Sequence, residues 1–195
     1  PKGPDGASKR VVRGGSWFSG RHSFDNFGSL QVGRRFSRDP GDLENYLANY
    51  GFRCARSIAL PENVMPGGSF TMGLAGETDA APHEVKVSPF RISGKEVSVD
   101  EWIEVKNWGL ANGYSDLLPG NPTQVSGDRP AHYVHWYDAV KWCNARSEKE
   151  GLRPAYYLEA GHANVYRTGK VDLSNAMVDW KANGYRLPTE AEWEF

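Results

Sequence analysis

Gly184-Tyr185-Arg186-Leu187-Pro188-Thr189-Glu190-Ala191-Glu192-Trp193-Glu194-Phe195 closes the chain. Thr189 can cap a helix here, and Glu192, three residues on, can reach back to the cap, the reciprocal Thr-x-x-Glu arrangement that marks a helix beginning. A helix of one or two turns has little stability of its own, so the stretch reads as an element cut short. Residue 1 is Pro, and the chain is expected to be incomplete at both ends.

Working outward, a longer helix is expected from about Trp136 to Glu150, with Trp136, Ala139, Val140 and Cys143 on one face and Gly151 as its stop. Ser98 can cap another near 99–109, on which Trp102, Val105 and Trp108 recur at spacings of three. Ser69-Phe70-Thr71-Met72-Gly73, entered through Pro66-Gly67-Gly68, reads as a short strand, and His83-Glu84-Val85-Lys86-Val87 alternates as another. Tyr50-Gly51-Phe52-Arg53-Cys54-Ala55-Arg56 alternates in the same way, and Val11-Val12-Arg13-Gly14-Gly15-Ser16-Trp17 reads as a strand entering a glycine turn. Residues 19–49 are polar and Gly-rich, most simply a long loop, and 153–182 show no clear period. The expectation is an α+β fold with short strands, two main helices and much irregular chain.

Composition agrees. Seven Trp, nine Tyr, eight Phe and twenty-two Gly in 195 residues favour a loop-rich fold held by buried aromatics over a helical bundle. No apolar run approaches the roughly 20 residues of a membrane span. A net charge of -1, with Lys and Arg scattered among Asp and Glu, leaves no basic stripe, so nucleic acid is not an expected partner. Only two cysteines occur, Cys54 and Cys143, with no metal-type spacing. A long-range disulfide and two buried thiols are both open, and the apolar face carrying Cys143 favours thiols.

The closing string resembles the GYRLPTEAEWE signature of the formylglycine-generating-enzyme, or sulfatase-modifying-factor, family. Residues 66–73 resemble that family's opening strand, and Val134-His135-Trp136-Tyr137-Asp138-Ala139-Val140 resembles its VSWYDAV helix start. At the front, Arg10-Val11-Val12-Arg13-Gly14-Gly15-Ser16-Trp17 and Gly51-Phe52-Arg53-Cys54 look like the family's C-terminal motifs, so the order is inverted. A window across tandem domains explains this most simply, with 1–57 the C-terminal part of one domain, 58–64 a connector and 65–195 the N-terminal part of a second. A circular permutant lacking its middle and an artificial fusion are the other readings. The resemblance implies a C-type-lectin-like frame, on which the two parts could pack as one incomplete domain with the 51–53 strand beside the 69–71 strand and Cys54 approaching Cys143.

Family enzymes are understood to oxidise a client cysteine to formylglycine with copper(I) on two thiolates, soft ligands that this ion prefers. Here Ser19 stands at the first cysteine position and no sulfur lies between Ser16 and Gly51, so the resemblance implies no catalytic residue, no metal and no copper in this copy. Calcium is implied for the missing middle segment. Ser16, Trp17, Ser19, Arg21, His22 and Arg35 remain as binding candidates for an unknown protein or small-molecule ligand. Arg34 shares an anchoring role with Arg35, while Gln31 replaces a common arginine. Arg13, Gly14, Gly15, Thr189, Glu192 and the family-disulfide positions Cys54 and Cys143 are structural. His132 and His135 lie on opposite faces of an extended segment, which disfavours joint metal ligation. Glu190, Glu192 and Glu194 suit capping and surface roles better than paired catalysis. Trp17, Trp102, Trp136 and Trp193 are expected in the core. Two functions follow: a non-catalytic recognition or scaffold module using 19–49, or an oxidoreductase whose cysteines lie in a neighbouring copy. The family favours an extracytoplasmic setting.

Overall fold

The computed structural model describes residues 11–12, 36–37, 52–57, 64–76, 81–118 and 127–195. Their elements run β1 (Val11–Val12), β2 (Phe36–Ser37), β3 (Ala55–Ser57), β4 (Gly68–Met72), β5 (His83–Val87), β6 (Phe90–Ile92), α1 (Val99–Ala111), α2 (Trp136–Lys149), a 3-10 turn (Asn175–Met177), β7 (Tyr185–Arg186) and α3 (Glu190–Glu194). This is the expected α+β fold.

Ser98 starts α1 as read from the sequence. Its hydroxyl accepts the Glu101 N–H at 3.2 Å and the Glu101 carboxylate accepts the Ser98 N–H at 3.0 Å, a complete capping box. The buried face of α1, Trp102, Val105 and Gly109, lies on α2. Gly109 is the close-approach point, because a Cβ there would meet Tyr114 at 3.2 Å and Ala145 of α2 at 3.5 Å. Trp102 and Trp142 stack with centroids 5.8 Å apart, and Phe52, from the front of the chain, sets its edge against both. Each of these rings carries a large apolar area, so this cluster is the centre of the core.

α2 is buried on more than the single face its apolar residues suggest. Its Asp138, Lys141, Asn144 and Ser147 are all enclosed along with Val140, Trp142 and Cys143. Each enclosed polar group has a partner. Asn144 donates to the carbonyls of Tyr156 (2.8 Å) and Tyr166 (3.1 Å) and accepts the Tyr156 N–H at 3.1 Å. Ser147 donates to the Cys143 carbonyl and accepts the Tyr185 N–H, both at 2.7 Å. Lys141 bridges Asp116 at 2.8 Å and Asp138 at 3.2 Å. The irregular chain after α2 is thus pinned by side chains of the helix in place of a ladder.

β3 is the centre of an antiparallel sheet in the order β6-β3-β7, with Arg56 opposite both Arg91 and Tyr185. Residues 52–57, the end of the front segment, therefore pack into the body formed by the rest, as expected of that stretch, but the expected neighbour of this strand is wrong. β4 pairs with β5, Phe70 opposite Val85, and does not touch β3 in a ladder. The reason is that Cys54 and Ala55 are both buried, so this strand needs a neighbour on each side, whereas β4 closes its own hairpin. Met65, just before β4, bridges Phe90 with hydrogen bonds of 3.0 and 3.2 Å, leaving β6 between them. Within the expected long loop, Phe36–Ser37 forms β2 against β1, and the rest of 19–49 lies outside the described residues.

Candidate functional site

The two cysteines meet. Cys54 arrives just ahead of β3 and Cys143 from the middle of α2, and their sulfurs stand 3.7 Å apart with residue exposures of 3% and 0%. Both are thiols. Burial pushes the Cys143 thiol well above its ordinary pKa, and the neighbouring Cys54 pushes it further. Copper(I) chemistry needs thiolates that oxygen and a client cysteine can reach. This enclosed pair does not fit the ion.

A separate cleft is walled by Trp136 at the start of α2 and Trp180 after the 3-10 turn, with Tyr156, Val178, Leu187 and Pro188 between them. Trp180 is 44% exposed, and its indole N–H is held by Asn175 at 3.1 Å. The Tyr156 hydroxyl accepts the Leu187 N–H at 2.8 Å, and Thr189 at the rim caps α3. Polar atoms here serve the fold, and the cleft offers aromatic faces in place of acid–base groups. Trp136 is half-buried, packing against the core while one side lines this cleft. Trp102 is enclosed, Trp193 lies half-buried 5.1 Å from the Arg53 guanidinium, and Trp17 falls outside the described residues.

α3 corrects a second expectation. Glu192 does close the box, accepting the Thr189 N–H at 2.8 Å, but it also takes a two-pronged grip from Arg186 at 2.5 and 2.6 Å in a buried setting. Burial works against its charge, and Arg186 outweighs that, holding the carboxyl below the ordinary glutamate range. Glu190 is buried too, and Glu194 accepts the Gly73 N–H at 2.6 Å, so none of the three is merely a surface charge. His135 is the buried N-cap residue of α2 without a side-chain cap bond, while His132 turns its ring nitrogen to the Pro130 carbonyl at 3.1 Å. Among the described residues no three His, Cys, Asp or Glu gather as a metal set. Arg13, Gly14, Gly15, Ser16, Trp17, Ser19, Arg21, His22, Gln31, Arg34 and Arg35 all lie outside the described residues. Sequence reasoning missed Asn144 and Ser147, although Val140, Cys143, Asn144 and Ser147 share one helix face by spacing and a polar pair amid that face was the available signal.

The family model for the FGE-sulfatase, or sulfatase-modifying factor enzyme 1-like, domain matches residues 60–195. The chain belongs to this family. Among its relatives, the chaperone protein LppX of Paenibacillus barcinonensis is 33% identical over 135 residues, covering 68% of this chain and 43% of LppX. The inactive C-alpha-formylglycine-generating enzyme 2 of Mus musculus is 27% identical over 148 residues, covering 67% of this chain and 45% of its own. The crystal structure of CarF superposes with a TM-score of 0.54 at 27% identity, over 74% of this chain and 54% of CarF. The chain thus spans under half the length of the two curated relatives. The family match begins at residue 60, so β3, the central strand of the sheet, precedes it.

Proposed function

We propose that this sulfatase-modifying-factor chain is a non-catalytic recognition or scaffold module. The observation that carries the reading is the placement of its sulfur. The whole sequence holds two cysteines, both are back to back in the core, and the stretch after Gly14-Gly15-Ser16 has Ser19 where the family's first thiolate stands. With no other thiol to offer, the chain cannot assemble a two-sulfur copper(I) seat open to a client peptide. A mouse relative named as inactive and a bacterial relative named as a chaperone stand on the same side. Residues 1–57 close one family domain and 65–195 open the next. The setting is outside the cytoplasm, where facing thiols pass to a disulfide.

The test mixes the chain with copper(I), oxygen and a sulfatase-type cysteine peptide, and follows the peptide by mass and by hydrazide capture. Unchanged peptide is the expected result. Oxygen-dependent aldehyde overturns the reading. Thiol titration of protein recovered from its source checks the setting, with fewer than two titratable thiols after denaturation expected.

A further inference from the structure

β4 and β5 form a sheet of two strands, with Ser69 opposite Lys86, Phe70 opposite Val85 and Thr71 opposite Glu84. Among the described residues no further strand joins them, and outside the ladder no backbone group of residues 83–87 makes a hydrogen bond. The outer side of β5 is therefore an open edge. Directly opposed residues share a face, so the two faces can be told apart. One carries Phe70, which meets Phe195 at 5.4 Å, together with the buried Met72 and Val87. The other carries Ser69, Thr71, Glu84 and Lys86, all exposed. Pro82 and Pro89 stand on either side of the strand, and because proline has no N–H to give, the usable edge is His83–Val87.

Open edges invite another strand, and proteins blunt them with an edge lysine. Lys86 stands where such a guard would, but Glu84 precedes it by two residues on the same face. Neither joins an ion pair among the described residues, and Glu84 accepts the Thr71 hydroxyl at 2.5 Å. This order of charges is complementary to itself. When the edge meets its own copy antiparallel with Val85 opposite Val85, Glu84 falls opposite the Lys86 of the second copy and Lys86 opposite its Glu84. Opposed side chains there have Cβ atoms about 4.5 to 5.5 Å apart, close enough for charge-assisted hydrogen bonds. Other registers fail. A slip of two residues sets Lys86 against Lys86 or Glu84 against Glu84, a slip of one turns each strand's faces over, and a parallel in-register pairing stacks like on like.

We infer that β5 pairs edge to edge with the β5 of a second copy of this chain, about a two-fold axis at Val85. One surface serves both partners, as a two-fold contact requires. The product is a four-stranded antiparallel sheet, β4-β5-β5-β4, in place of two hairpins, and sheets of more than two strands are the more stable form. Five residue pairs make a small contact, so the dimer forms in concentrated protein and dissociates on dilution. This goes beyond the proposed function and does not rest on it, since a catalytic chain would offer the same edge.

The experiment is sedimentation equilibrium of the full chain over about a hundredfold range of concentration, where a reversible monomer–dimer equilibrium that weakens with salt is expected. Glu84→Lys and Lys86→Glu each place like charges opposite one another and should weaken self-association at least about tenfold. Two further measurements should restore it: the double exchange Glu84→Lys with Lys86→Glu, and a mixture of the two single variants, which are complementary to each other. Both side chains are exposed, so the variants are expected to keep the far-UV circular dichroism of the parent. A chain that stays monomeric throughout the range overturns the inference. So does a dimer indifferent to the single exchanges, or single variants that fail to associate when mixed.

Discussion

α1 and α2 pack against each other, yet they are built on different terms. α1 buries four of its thirteen residues, all apolar or Gly, and half-buries Ile103 and Trp108 beside them. α2 buries ten of fourteen, among them Asp138, Lys141, Asn144 and Ser147. Apolar periodicity therefore describes α1 well and understates α2. The difference lies in what surrounds each helix: α1 has one covered side, whereas α2 is enclosed by α1, by β7 and by the irregular chain that follows it. That chain lacks ladders, so its backbone groups must find partners on the helix, and polar residues are the price of enclosing it.

Substitutions can break this contrast. The largest effect is expected for Asn144→Ala, which removes three hydrogen bonds and leaves the Tyr156 N–H and the Tyr166 carbonyl without their Asn144 partner in the core; urea denaturation should show a loss of roughly 3 to 5 kcal/mol. A loss below that of a surface change would mean that the network does not hold the 153–182 chain. Next comes Glu192→Gln, which leaves Arg186 facing a neutral amide and should cost about 2 to 3 kcal/mol at neutral pH. The sign with pH follows from its depressed carboxyl. Stability from the ion pair is fully present above the ordinary glutamate value of 4.5 and is lost as pH falls through the lower folded value, so the gap between parent and variant should close in acid. A gap that is flat with pH would assign the loss to the capping box instead.

In α1 the terms are local and smaller. Ser98→Ala removes half of a capping box and should lower stability by about 1 kcal/mol, read as a shift in urea midpoint at constant slope. The smallest effect is expected for Lys149→Ala, which removes an exposed contact to Glu104 at 2.6 Å between the two helices. Its midpoint should stay within experimental error, since exposed pairs contribute little. A clear destabilisation there would show that surface charge, as well as enclosure, joins α1 to α2.

Both helices, their start points, the β4 and β5 strands and the α3 capping box were legible in the chain because each rests on contacts between residues a few positions apart. Ser98 to Glu101 and Thr189 to Glu192 are such cases. The neighbours of β3 were not legible, since alternation tells which residues point inward and says nothing of which strand lies alongside.

Sequence by itself determined the family, the α+β class, the local caps and the scarcity of sulfur, all of which are properties of residue identity and short spacing. Only the tertiary structure decided that Cys54 faces Cys143 across 3.7 Å, that β3 lies between β6 and β7, and that Arg56 stands opposite Arg91. Those are meetings of residues far apart in the chain, up to 131 positions for Ala55 and Arg186, and they are set by which enclosed surfaces and unpaired backbone groups can be satisfied together in space.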